Sequence, residues 1–174
     1  MVKLKLKEGA KIPEYATKGS SGVDVVAYDI LAIYKGFVKS EDNTIEAIRE
    51  KFLSDKEGEG AMFIRPQERV LIDTGLSQAE IPENSEIQVR PRSGISLKKG
   101  LLVANAPGTL DEDYRGNIGV ILFNPSNFII KIERFERIAQ LVLCPILRTE
   151  WTAVEEINFN TERGAKGFGS TGTK

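Results

Sequence analysis

Histidine does not occur in this chain of 174 residues. Its absence removes Ser-His-Asp and Cys-His hydrolysis and His-ligated zinc, because each needs an imidazole as base or ligand. Cysteine is nearly absent too. Cys144 stands alone inside the apolar run IAQLVLCPI, where a thiol serves as a small core hydrophobe, and a single thiol supplies no disulfide framework. No apolar run approaches the length that crosses a bilayer. The opening MVKLKLKEGA alternates lysines with apolar residues instead of presenting the apolar core and cleavage site of a secretion signal, so the expected setting is the cytoplasm. A net charge of −1 gives no overall field to hold a nucleic-acid polymer, although a small anion can be bound locally. Any site that activates water or arranges a metal must therefore be built from carboxylates.

The remaining composition, 41% hydrophobic and 28% charged, suits one globular domain with a sizeable core. Val2, Leu4 and Leu6 alternate with Lys3, Lys5 and Lys7, the period of a strand with one face on the core, until Pro13 breaks the pattern. Similar runs follow in VDVVAYDI, RVLIDTGL, EIQVR, GLLVANA, NIGVILF, FIIKIE and IAQLVLCPI, with a weaker stretch from Trp151 to Phe159. Short strands at close spacing, with too little helix to cover parallel crossovers, predict an all-β antiparallel sandwich, jelly roll or distorted barrel. One helix is predicted from Asn43 to Ser54, where Ile45, Ile48, Phe52 and Leu53 fall at helical spacing and Asn43 with Glu46 resembles a capped start. The charged, glycine-containing runs YKGFVKSED and SDKEGEG flank it, so residues 32–61 read as an excursion from the β body. That excursion is either a surface cover for the sandwich or a surface for a protein partner.

Four segments carry groups with chemical use. Asp24 falls among valines in VDVVAYDI, and a carboxylate there needs a donor, a metal or an interface. PRSGISLKKG places Arg92, the Ser93 hydroxyl and Gly94 directly after a strand, where backbone amides can approach an anion or where the chain merely turns; it is not a P-loop, since G-x-x-x-x-G-K-[ST] is absent. In LLVANAPGTLDEDYRG the acids Asp111, Glu112 and Asp113 follow Pro107-Gly108 and precede Tyr114, near the expected tip of a hairpin, with Asp111 and Asp113 aimed alike by strand alternation. The tail RGAKGFGSTGTK is too polar and glycine-rich for a core element. GFGSTG spells G-x-G-x-x-G, but too few residues follow it to make a helix, which rejects a dinucleotide-binding reading. With Arg163, Lys166, Phe168, Ser170 and Thr171, the tail instead has the parts of an arm that closes over a nucleotide. Each segment taken alone also has a structural reading, as a strand-end ion pair, a turn, solvated acids or an unstructured tail.

Taken in order, SGVDV, PRSG, the D-E-D-Y-R-G run, ERIAQL and the final RGAKGFGSTG resemble the motifs of the trimeric dUTPases. The likeness runs from about Val2 to Thr173 and leaves residues 32–61 outside it. It implies a distorted jelly roll of the β-clip kind over residues 1–160 and an arm over 161–174 that closes the active site of a neighbouring subunit in a homotrimer. The implied reaction is hydrolysis of dUTP to dUMP and pyrophosphate with Mg2+ on the triphosphate. By this resemblance Asp111 activates the water that attacks the α-phosphorus, and Asp24 helps arrange the metal–phosphate cluster through water. Arg92, Ser93, Gly94 and Gln140 would meet the phosphates, with Arg137 mainly a structural ion-pair partner. Asn105 and the backbone through Gly108 would read uracil, whose N3–H and O4 reverse the pattern of cytosine; a mismatched buried pair costs roughly 1–3 kcal/mol. Tyr114 would lie under the deoxyribose and exclude a 2′-hydroxyl, while Arg163, Phe168, Gly169, Ser170 and Thr171 would close over the nucleotide.

The chain departs from the family pattern at Ser21 and Val23 around Asp24, at Phe135 where a turn glycine is usual, at Lys166 in the arm, and in the insertion itself. Two rival functions stay open on the sequence. One is a dCTP deaminase of the same fold, possibly bifunctional; the other is a nucleotide-gated regulatory protein that holds a partner through residues 32–61.

Overall fold

In the computed structural model, which describes residues 1–54 and 60–167, the apolar alternation of the sequence becomes a series of strands with one buried face. The first half of the chain forms β1 (Lys3–Leu6), β2 (Val23–Val26), β3 (Asp29–Lys35), β4 (Val38–Lys39), α1 (Asp42–Leu53), β5 (Ala61–Ile64), β6 (Glu68–Asp73) and β7 (Leu76–Glu80). The second half forms β8 (Ser85–Pro91), α2 (Ser93–Lys99), β9 (Leu102–Val103), β10 (Gly108–Leu110), β11 (Gly119–Phe123), β12 (Ile130–Glu133) and β13 (Arg137–Pro145). Every strand pairing is antiparallel among the described residues. Two larger sheets, ordered β10-β8-β13-β2 and β4-β3-β6-β11-β9, enclose the core, and the ribbons β1-β7 and β12-β5 complete it. Between them lie Ile30, Ile64, Val70, Ile72, Ile118, Leu122, Ile132 and Ile138, all essentially without solvent contact.

Several runs that read as single strands bend from one sheet into another. VDVVAYDI breaks at Ala27 and Tyr28, so β2 joins β13 while β3 joins β6. RVLIDTGL breaks at Thr74 and Gly75, which sends β6 and β7 to different partners. The expected hairpin around Asp111 is likewise not one. β9 pairs with β11 and β10 pairs with β8, so residues 104–107 and 111–118 both cross between sheets. Alternation marks a strand's buried face but carries no mark of the strand beside it, which is why these corners are silent in the sequence.

PRSGISLKKG, read as a strand-end turn, contains a second helix, α2, so the described chain has two helices where one was expected. The stretch from Trp151 to Phe159 forms no strand; beyond Pro145 the chain runs irregularly, with Leu147 and Trp151 exposed at 96% and 91%. Its residues pair with no strand among the described residues.

The insertion is more firmly built in than an excursion. Tyr34 and Lys35, assigned to a linker by composition, pair with Lys39 and Val38 in the β3–β4 hairpin, and AMFI of β5 pairs with β12. α1 starts after Glu41 without a side-chain cap, and Asn43 Oδ1 accepts the N–H of Thr44 instead of capping as expected. Ile45 and Phe52 are buried against the body. Between them Arg49 Nε donates to both oxygens of buried Asp29, at 2.7 and 2.9 Å. Asp29 faces Asp73 across the β3–β6 register, and Asp73 has its own cation in Lys7. Two buried carboxylates side by side are tolerable because each is paired.

Candidate active site

β2, β13 and β8 lie side by side, and their register puts Gln140 between Asp24 and Arg90. Arg92, just past the end of β8, donates from Nε to Asp24 Oδ1 at 2.8 Å, and Arg137 donates from Nη1 to Oδ2 at 3.2 Å. The carboxylate among valines thus finds its donors in side chains distant along the sequence, and Arg137 is the ion-pair partner it was expected to be. Two guanidiniums on one carboxylate leave a local positive excess that attracts an anion.

Gln140 Nε2 donates to the Pro91 carbonyl at 2.9 Å. Its Oε1 approaches Gly22 so closely that a Cβ there would stand 2.9 Å from Oε1 and 3.0 Å from the Leu141 carbonyl oxygen. α2 begins at Ser93, with Arg92 extended at the cap position, and its first bond runs from the Ser96 N–H to the Arg92 carbonyl at 3.1 Å. The amides of Ser93 and Gly94 therefore have no partner within the helix, and both residues are exposed. Beside Asp24 and Arg137 opens a cavity of about 700 Å3 whose walls include Tyr28 and Phe135. Phe135 has a left-handed backbone, φ 63°, which is the conformation a glycine would take without strain.

Asp111 belongs to a second cluster. β10 runs antiparallel to β8 with Leu110 opposite Ile87, so Asp111 emerges at the Ser85 end of β8 whereas Arg92 and Ser93 follow its Pro91 end. At about 3.3 Å per residue the two clusters lie roughly 20 Å apart along the sheet. Asp111 is exposed and opens a turn closed by the Tyr114 N–H on its carbonyl at 3.0 Å. Asp113 lies inside that turn, so strand alternation does not govern where it points relative to Asp111. The Tyr114 hydroxyl donates to the Asn117 carbonyl at 2.8 Å, and its ring covers Gly116 so tightly that a Cβ there would sit 2.4 Å from the hydroxyl oxygen. Asn105 is exposed on the crossing from β9, and Gly108 is buried opposite Val89.

Arg163 is exposed in the C-terminal segment, its carbonyl accepting the Lys166 N–H at 3.2 Å. Phe168, Gly169, Ser170 and Thr171 lie outside the described residues. Among the described residues no three or more His, Cys, Asp or Glu side chains group to hold a metal ion. With Asp24 engaged at both oxygens, this donor set does not fit a resident ion. Gly22 and Glu112 are functional candidates that sequence reasoning passed over. Gly22 carried a signal, a glycine two residues from the candidate acid, but the contacts of Glu112 are made with the distant Asn84 and Arg148.

The dUTPase family model matches residues 59–172. A deoxyuridine 5'-triphosphate nucleotidohydrolase of Hydrogenobaculum sp. (strain Y04AAS1) is 44% identical over 170 residues, covering 98% of this chain and 96% of its own. Its counterpart in Treponema denticola is 42% identical over 168 residues, covering 97% and 95%. A dUTPase of Staphylococcus bacteriophage 80alpha with dUPNHPP superposes with a TM-score of 0.70 at 29% identity, over 99% of this chain and 97% of that one. The family model over residues 59–172 and relatives 44% and 42% identical along nearly the whole chain agree: this protein belongs to the dUTPase family.

Proposed function

We propose that the protein hydrolyses dUTP to dUMP and pyrophosphate at a site shared between copies of the chain, with Asp111 as the base. The function itself is that of the family. The shared site rests on one observation: Asp111 and the Asp24–Arg92–Gln140 cluster stand roughly 20 Å apart along a rigid sheet, by the rise of a strand. A triphosphate spans far less than that. A base that works through a single water must be within hydrogen-bond reach of it, so the acid of one chain must meet the phosphate cluster of another. The apolar side chains of Leu147, Trp151, Val154, Ile157 and Phe159 support assembly, because among the described residues they stand largely in solvent. A closed ring of identical contacts makes a homotrimer with three such sites.

In this site Arg92, Gln140, the Ser93 hydroxyl and the free amides of Ser93 and Gly94 hold the phosphates and steady the charge that moves onto departing pyrophosphate. Mg2+ bound to the triphosphate would offset part of its charge, and Asp24 would reach that ion through water. Asp111 takes a proton from water, whose oxygen bonds to the α-phosphorus as the bond to the bridging oxygen of the β-phosphate breaks. Asn105 and the backbone through Gly108 read uracil, and Tyr114, fixed over Gly116, lies under the deoxyribose. Arg163, Phe168, Gly169, Ser170 and Thr171 close the site from a further chain and shield it from bulk water. No helix among the described residues is long and apolar enough to cross a membrane. Pyrophosphate from dUTP, without ammonia from dCTP, is the expected product test against a deaminase.

Complementation tests the sharing. Asp111→Asn and Arg92→Ala chains, each inactive alone, are mixed after unfolding and refolded together. If each site takes its Asp111 and its Arg92 from different chains, an equal mixture regains about a quarter of the wild-type rate by random assortment. No recovery, or sedimentation as a monomer, would place a complete site in one chain and end the proposal. Gly22→Ala tests the phosphate end. The added Cβ displaces Gln140, and loss of one hydrogen bond to charged phosphate should raise KM for dUTP about tenfold.

A second reading adds partner binding by the insertion. Phe37 and Val38 stand 100% and 72% exposed at the β3–β4 tip. Phage dUTPases, the 80alpha protein among them, control transfer of virulence genes, a task beyond nucleotide hydrolysis. Such a role in this chain would use the tip and leave hydrolysis intact.

A further inference from the structure

Glu112, the middle acid of the D-E-D run, sits where three parts of the chain meet. Its Oε2 accepts the backbone N–H of Asn84, in the loop between β7 and β8, at 2.9 Å, and accepts Arg148 Nη2 at 2.7 Å. Asn84 holds a left-handed backbone, φ 56°, and its carbonyl takes the N–H of Ile146, the first residue past β13, at 2.9 Å. On the other side, Arg115 Nη1 donates to the Glu112 carbonyl at 2.7 Å, within the turn that Tyr114 closes on Asp111. Asp111, Glu112, Ser85, Ile146 and Arg148 together border a cavity of about 280 Å3.

We propose that Glu112 is the positioning residue for the catalytic acid and ties it to the root of the C-terminal segment: one carboxylate fixes the Asp111 turn both to the start of β8 and to Arg148. This rests on Asp111 being the base. A carboxylate that accepts a backbone N–H and a guanidinium is held at two points, so the turn cannot pivot about β10 without breaking both bonds. The Arg148 guanidinium, with the Asn84 amide, holds the Glu112 carboxyl below its ordinary value. Arg148 also lies near the start of the irregular segment beyond Pro145 that includes Trp151 and Phe159.

The test measures kcat and KM for dUTP separately in full-length Glu112→Ala, Glu112→Gln and Arg148→Ala, with thermal midpoint and sedimentation as controls. Glu112→Ala is expected to lower kcat about tenfold with KM within about twofold, because a misaimed base weakens the transition state more than substrate binding. Glu112→Gln should regain part of that loss, since its amide oxygen still accepts the Asn84 N–H. The double variant with Arg148→Ala should be no worse than Glu112→Ala alone, as expected for two groups acting through one contact. Wild-type kcat in Glu112→Ala would overturn the proposal, as would a loss that follows a fall in thermal midpoint or in assembled protein. Asp111→Asn measured in parallel separates the two ideas. If it retains turnover, the assignment of the base fails; if it is inactive while Glu112→Ala is normal, only the positioning role fails.

Discussion

Asp111→Asn is expected to lose about a thousandfold in kcat while the protein still binds an unreactive dUTP analogue at near wild-type affinity. The substitution is nearly isosteric, and the turn it sits in is closed by main-chain atoms, the Tyr114 N–H on the residue 111 carbonyl, which asparagine leaves in place. What disappears is the proton acceptor. The chain has no histidine to take over, and the neighbouring carboxylate of Glu112 is already engaged by Arg148 and the Asn84 amide. Pyrophosphate release gives the rate and calorimetry with the analogue gives the affinity. Turnover within a few-fold of wild type would move the base elsewhere.

Phe52→Ala is expected to lower stability by about 3–5 kcal/mol, the cost of removing a large side chain from a closed core. Phe52 has no solvent contact, and α1 covers β3 and β5, so the body cannot collapse into the space without shifting a sheet. Arg49→Ala acts by another route, leaving buried Asp29 without its cation. Because Arg49 is half exposed and water can partly replace it, the expected cost is about 2 kcal/mol, less than for a fully buried pair. Urea unfolding at one fixed protein concentration measures both, since assembly contributes to apparent stability. Of the two readings the insertion allowed, these contacts favour the cover. Unchanged stability in Phe52→Ala would return it to the status of an appendage.

The strands β6, β11 and β13 were legible as short apolar runs set off by turn residues, and α1 was legible because Ile45 and Phe52 recur at helical spacing. That Asp24 requires a donor could be argued from its valine neighbours. Which donor could not, because Arg92 and Arg137 reach it only after three strands align. The corner at Tyr28 and the crossings around residues 104–118 were hidden for the same reason, as partner choice is a property of the whole sheet. Phe135 is a partial exception. A bulky residue where relatives are expected to carry glycine pointed to a special backbone, and its φ is positive. The second helix was hidden in a segment whose serine, glycine and arginine suit a turn equally well.

The placement of the acid and the phosphate cluster at opposite ends of β8 has a consequence for mixtures of good and bad copies. Under the proposed sharing, every copy lends its base to one pocket and its guanidinium to another. A copy damaged in both therefore spoils two pockets, and the output of a mixed population falls as the square of the intact fraction, steeper than simple dilution. Inactive copies would then act as poisons, and their potency would report how tightly the proposed assembly exchanges its members.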